Sequence, residues 1–261
     1  MKKIILTLFV QFVVISLFAQ KFEMRVNAGA NLTFVPDYSD LVLIANDGLI
    51  VPGLIHPGNS LTPLLHDETI AETSARFGFV ADIEIRMKVC DNCSLSLATG
   101  VVRMNYKYDN YVVAEGTPNV RLSELDSDFG ITKLLYLNLR PLNFGIDFFD
   151  RKLTLQGGAT FNFFLKGKSN STVILYAEPV TGSAESEIEK VYFSTTSKAN
   201  SVLYGAHLQI EFSIIKDVDI FLSGQYYFNS IYNSEKSNFP ELKAANPTTI
   251  EMGISYTFWR F

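Results

Sequence analysis

Three histidines, two cysteines and the lysine that follows Gly167 are the first residues in this chain to test for chemistry. His207 falls within a segment of alternating polarity, while His56 and His66 lie in a long stretch between two such segments. A histidine works as a general base when the proton it takes is within hydrogen-bond reach. A barrel enzyme that modifies lipids would set it beside a serine and an acid. Gln209 and Glu211 share the face of His207, but no serine occupies an adjacent same-face position. We therefore expect His207 to be a hydrogen-bonded interior residue and the chain to have no catalytic residues. No His-Glu-x-x-His spacing occurs, so neither a metal nor another cofactor is expected.

Cys90-Asp91-Asn92-Cys93 would suit redox work if a helix N-terminus lowered a thiol pKa, and the surrounding pattern predicts no helix. Zinc would require a second ligand pair. A local disulfide between Cys90 and Cys93, formed in an oxidising compartment, is the expected state, with free thiols as the alternative. Gly167-Lys168-Ser169 resembles the end of a phosphate loop. That motif needs a further glycine at position 162, which is Asn162, and a helix to supply amide donors. It is rejected.

The charged residues form a more coherent set. Glu23, Arg25, Asp82, Glu84, Arg86, Arg140, His207, Glu211 and Glu251 all fall on the polar phase of their segments, with Lys88, Asn138, Gln156, Asn162, Gln209 and Gln225 beside them. Buried charges must be paired. With both signs interleaved, the expected arrangement is a hydrogen-bonded, ion-paired plug that sets strand register. The alternative is a narrow ion path.

These residues need strands to position them. From Phe22 to Phe34 every second residue is apolar (Phe22, Met24, Val26, Ala28, Ala30, Leu32, Phe34), and polar or small residues fill the gaps. Such strict two-residue periodicity predicts a strand with one apolar and one polar face. The pattern returns at 77–89, 94–108, 131–142, 153–166, 202–214, 218–229 and 249–261. In the third segment Leu95 and Leu97 lie on one face and Val102, Met104, Tyr106 and Tyr108 on the other, which predicts a β-bulge near Gly100. Short connections (90–94, 143–151, 215–218) alternate with long ones (36–75, 109–130, 168–200, 230–248). In a meander, every long loop then lies at one end and both termini at the other, as in transmembrane β-barrels. A soluble sandwich is the rival reading. Its strands usually run about 5–6 residues, shorter than these segments, while a tilted membrane crossing takes about 9–11. The expected fold is an all-β, eight-stranded antiparallel up-and-down transmembrane barrel with long extracellular loops.

Met1-Lys2-Lys3 followed by an apolar run to Phe18 and Ala19 has the layout of a secretory signal peptide. Residues 1–19 are expected to be cleaved, leaving 20–261 as one barrel domain. A net charge of −5 argues against nucleic-acid binding, which depends on clustered cations. At 48% hydrophobic content the chain is not disordered.

The stretch Leu135-Tyr136-Leu137-Asn138-Leu139-Arg140-Pro141-Leu142, then a turn and Leu153-Thr154-Leu155-Gln156-Gly157-Gly158-Ala159, resembles the strand–turn–strand centre of PorT-like outer-membrane β-barrel proteins. The Phe18-Ala19-Gln20 ending and the aromatic C-terminus, Tyr256-Thr257-Phe258-Trp259-Arg260-Phe261, are similar to theirs as well. Trp259 and Phe261 fall on the polar phase of the last segment. The resemblance implies a bacterial outer-membrane location and an association with the cell envelope or with protein secretion.

The long loops are where binding would be grafted onto a rigid barrel. The first is unusually apolar. Leu43 and Ile44 precede Asn46-Asp47-Gly48, and Leu49, Ile50 and Val51 follow, which predicts a hairpin on a tight turn. It is expected to cover the barrel mouth or to bind a partner. In the third loop, residues 172–177 and 191–195 are expected to extend their strands. Function is expected to be structural or interactive, with outer-membrane lipids and envelope or secretion proteins as partners, no nucleic acid, and a monomeric barrel. A small channel or transporter and a lipid-modifying enzyme are the alternatives.

Overall fold

A computed structural model describes residues 22–36, 38–39, 70–109, 111–112, 120–121, 130–169, 171–176, 188–193, 199–233 and 245–260. Eight long strands follow the alternating segments: β1 (Phe22–Phe34), β2 (Ile70–Cys90), β3 (Cys93–Asp109), β4 (Ile131–Phe148), β5 (Leu153–Ser169), β6 (Val202–Ile215), β7 (Val218–Tyr227) and β8 (Thr248–Arg260). Each pairs antiparallel with the next in the chain. β1 also pairs with β8, setting Ala28 opposite Ile254 on one side and opposite Ala81 on the other. The sheet is thus a closed ring, the eight-stranded up-and-down barrel that the alternation predicts. Closure satisfies the backbone groups that an open edge would expose, a condition for spanning lipid.

Because successive side chains point to opposite faces, each strand divides its residues between lumen and exterior. Ile83, Ile85, Leu97, Leu137, Ile146, Leu155, Leu208, Leu222 and Ile254 face outward and are exposed. Aromatic residues flank this band at both ends. Tyr204, Tyr226 and Phe228 cluster at the long-loop end, with ring centroids 5.7–6.3 Å apart. Phe148, Phe149, Phe258 and Trp259 lie at the short-turn end. A soluble fold would bury this surface; a bilayer solvates it.

The structure corrects four sequence expectations. No bulge occurs at Gly100, which pairs in register with Asp82 and Asn138. Ser94, Ser96, Ala98, Val102, Met104, Tyr106 and Tyr108 all face the lumen on one unbroken phase. The composition of the inner face changes there from polar to apolar, and that change imitates a shift of phase. The fourth strand does not stop at Leu142. A bulge at Pro141-Leu142 lets it continue to Phe148, with Arg140 and Asn143 both turned inward. Proline has no N–H to donate, so a bulge is where a strand tolerates it. The seventh strand ends at Tyr227 rather than reaching Asn229. In β8 a register shift at Phe258 turns Trp259 outward, off the polar phase that strict alternation assigns it.

The ends at which the short turns lie are tightly built. Cys90 and Cys93 are joined by a disulfide across the first turn. Lys216-Asp217 forms the third, with Asp217 in the left-handed region (φ 68°). The second turn runs from Phe149 to Lys152, whose N–H donates to the Phe149 carbonyl at 3.1 Å. Phe149, Asp150 and Arg151 all have positive φ, between 52° and 67°. Left-handed conformations burden residues that carry a Cβ. Asp150→Gly is therefore expected to add about 1 kcal/mol of stability, read as a higher temperature for loss of the compact band on unboiled gels. A lower temperature would show that the Asp150 side chain holds the turn.

Residues 171–176 and 188–193 pair with each other as a separate two-stranded sheet, Ser171 opposite Phe193. The apolar segment of the first long loop, with Leu43, Ile44, Leu49, Ile50 and Val51, lies outside the described residues, as do residues 1–19 and Phe261.

Candidate functional site

The lumen is filled in three layers. Nearest the short turns is a charged layer built on three arginines. Arg25 reaches Glu211 at 2.8 Å, Glu84 at 3.7 Å and also Asp219. Arg86 lies 3.1 Å from Glu84 and 2.7 Å from Glu211, and donates to Gln156 at 2.7 Å. Arg140 is ion-paired with Asp82. Glu84 and Glu211 thus each bridge Arg25 and Arg86, and Gln156 donates to Glu84 at 3.0 Å. Charges this far from water are stable only when paired and hydrogen-bonded on all sides. Glu251 is buried too and accepts from the Ser223 hydroxyl at 3.0 Å.

Glu23 closes the layer at the rim. Arg151, from the second turn, donates to both of its carboxylate oxygens at 2.8 Å and also lies 3.2 Å from Asp147. Arg260 stands 3.3 Å from Glu23 on its other side and 2.5 Å from Asp217. The hydrogen bonds it donates to Glu23 raise the Arg151 guanidinium above its ordinary pKa. The last strand and two turns are in this way tied to the first strand.

His207 is buried beside this layer. Arg140 Nη1 stands 3.2 Å from His207 Nε2 and 3.2 Å from Gln209 Oε1, and donates to them. Nε2 also lies 3.3 Å from Gln209 Oε1, so both of its close polar neighbours belong to the lumen network. Among the described residues, no group of three or more His, Cys, Asp or Glu side chains could hold a metal ion.

Above the charges is a neutral layer. Asn138 donates to Asn162 at 2.6 Å and to Thr160 at 2.9 Å, and Thr160 donates to Gln225 at 3.1 Å. Tyr227 joins this layer to the next, donating to Gln225 at 2.7 Å and accepting from Asn162 at 2.6 Å. Toward the long loops the inner face becomes apolar: Val102, Met104, Tyr106, Leu134, Tyr136 and Leu203 are fully buried. Tyr136 meets Phe164 edge to face, centroids 5.6 Å apart. Val35, Ala199, Ile231, Tyr232 and Ala245 complete this upper core from the strand ends. At the mouth, burial raises the pKa of Tyr232, whose side chain joins that core.

Nine of the ten charged or titratable residues expected in the lumen are found there and buried; the tenth, Lys88, is half-buried, 4.0 Å from Asp147. Alternation from Phe221 would also have found Asp219. Asp147 was hidden because its phase is set by the bulge at Pro141-Leu142, and Arg151 because it enters from a turn. The upper core was missed because its residues are apolar on a face expected to be polar.

A closed antiparallel barrel, apolar outside and packed with paired polar groups inside, defines the class: an outer-membrane-type β-barrel. No helix among the described residues is long and apolar enough to cross a membrane, which leaves crossing by strands untouched. No protein-family model matches the chain, and no curated protein matches it either. Solved structures with a similar fold include three that the chain covers almost end to end. Neisserial surface protein A has 14% identity and a TM-score of 0.38, over 90% of this chain and 97% of that one. The outer membrane protein OprG of Pseudomonas aeruginosa has 11% identity and a TM-score of 0.42, over 93% and 96%. Ail, the attachment invasion locus protein of Yersinia pestis, has 11% identity and a TM-score of 0.37, over 93% and 99%.

Proposed function

We propose that this protein is a monomeric, non-enzymatic barrel of the bacterial outer membrane that serves as a rigid scaffold presenting its long loops to partners. The observation that carries this reading is the filled lumen. A conduit needs a continuous water path, and here an ion-paired layer is followed by an apolar one that excludes water. Its resemblance to PorT-like proteins supports envelope or secretion machinery as the partner, reached through the apolar first loop around Leu43, Ile44, Leu49, Ile50 and Val51.

Purified protein in planar bilayers is expected to show no stable conductance steps; reproducible openings would replace the scaffold with a channel. A photo-crosslinker at position 49 in cells is expected to capture an envelope protein with which the barrel co-purifies. Crosslinking to nothing but lipid would remove the loop from the proposal. His207→Ala is expected to leave the envelope lipid profile unchanged, and an altered profile would revive the enzyme reading.

A further inference from the structure

The outer faces of the two halves of the barrel differ at the long-loop end. β2, β3, β4 and β5 run 17–21 residues, whereas β6, β7, β8 and β1 run 10–14. The taller wall carries Arg76, Arg103, Lys107, Lys133, Lys166 and Lys168 on its outer face, four of them exposed and Arg103 and Lys107 half-buried. Register sets them in adjoining rows. Arg76, Asn105, Lys133 and Lys168 lie side by side across four strands, and Arg103, Leu135 and Lys166 form the row below. The apolar band meets them directly: on β2 Phe77 lies between the two rows and Phe79 pairs with Arg103, and Leu137 and Phe163 form the row beneath. Two acids, Glu72 and Asp109, lie above at the strand tips. The long-loop end of the shorter wall carries Phe34, Tyr204, Tyr226 and Phe228 on its outer face, and no cation among the described residues.

Half of these cations face outward only because the strands are bulged. Below Phe77-Gly78 the even-numbered residues of β2 face the lumen; the extra residue there reverses the phase and sends Arg76 out. Gly78 permits that bulge, since a Cβ would stand 1.8 Å from the Arg103 carbonyl oxygen. The Phe77 carbonyl accepts from the Asn105 side-chain amide at 2.6 Å. In β5 the extra residue is Leu165, and it likewise sends Lys166 and Lys168 out. Unbulged strands would aim all three cations into the apolar upper core.

We propose that this wall is a binding surface for a lipid whose headgroup carries more than one phosphate, in the leaflet on the long-loop side. Strands about 4.8 Å apart spread the upper row over roughly 14 Å, wider than a single phosphate. Cations immediately above a lipid-facing band stand at headgroup depth, where each attracts anionic headgroups. This rests on the outer-membrane reading above.

The test uses the full mature barrel, folded in a neutral detergent and checked first for a β-sheet circular dichroism spectrum and a heat-dependent gel shift. Native mass spectrometry then follows titration with bis-phosphorylated lipid A, with the same lipid dephosphorylated, and with a soluble bis-phosphorylated glucosamine disaccharide. The wild type is expected to prefer the bis-phosphorylated lipid over both. Lys133→Gln/Lys166→Gln/Lys168→Gln is expected to weaken binding about ten-fold or more. Lys152→Gln/Lys216→Gln, at the opposite end, is expected to stay within about two-fold. Equal binding of the dephosphorylated lipid, or a triple variant that binds like wild type, overturns the proposal and leaves the barrel reading standing. Equal binding of the soluble disaccharide overturns the lipid surface in favour of a free phosphate site. A wild type lacking the β-sheet spectrum and gel shift sinks both readings.

Discussion

Arg140→Met is expected to destabilise the barrel by about 3–5 kcal/mol. Arg140 is the guanidinium ion-paired with Asp82, and the same side chain donates to His207 and Gln209. Its removal leaves the Asp82 carboxylate buried with the Asn27 amide, 2.7 Å away, as its remaining close donor. Water cannot compensate in a layer where Asp82, Glu84 and Arg86 are each under 5% exposed. Breaking a buried pair is costly because of the charge left behind, not because the pair itself is worth so much. Arg140→Met combined with Asp82→Asn is therefore expected to recover most of the loss, ending within about 2 kcal/mol of wild type. Urea unfolding in lipid vesicles, followed by the fluorescence of Trp259, the single tryptophan, reads all three variants. Losses that simply add in the double variant would show that Arg140 and Asp82 do not act as a unit.

Tyr136→Ala is expected to cost about 3–5 kcal/mol, through a different mechanism. Tyr136 is fully buried in the upper core, where its ring meets Phe164 edge to face, and truncation leaves a cavity that a closed barrel has little freedom to collapse. Its hydroxyl has no hydrogen-bond partner among the described residues. Tyr136→Phe keeps the ring and deletes a group that gives up hydration without return, so it is expected to match or exceed wild-type stability. The same unfolding measurement separates the two contributions. A phenylalanine variant as unstable as the alanine one would mean that the hydroxyl, rather than ring packing, holds this layer. Together the two experiments ask whether the charged floor and the apolar ceiling of the lumen are independently required to keep it closed.

The alternation was legible because it is local. From Phe22 to Phe34 the period of two can be read without knowing any partner strand, and the same holds for 77–89 and most of β8. Eight such segments joined by alternating short and long connections leave few topologies, so closure followed from the sequence as well. The nine charged and titratable lumen residues came with it, since phase alone assigns them a face. What was misread lies where phase depends on a neighbour. Pro141 looked like an end because nothing within β4 shows that β3 and β5 accommodate an extra residue there. Trp259 looked inward because the shift at Phe258 exists only in register with Met24 and Arg25. Val102, Met104, Tyr106 and Tyr108 looked outward because an apolar residue was equated with a lipid-facing one.

The sequence by itself therefore determined the strand count, the closed antiparallel ring, the lipid-facing band and the membership of the charged layer. Only the tertiary structure decided that the lumen has an apolar storey above its charged one, that turn residue Arg151 seals Glu23, and that bulges turn Arg76, Lys166 and Lys168 to the outer face. The reason is physical. Side-chain alternation is a property of one extended chain, whereas a bulge is a mismatch in length between two, and its position is set only when both strands are paired.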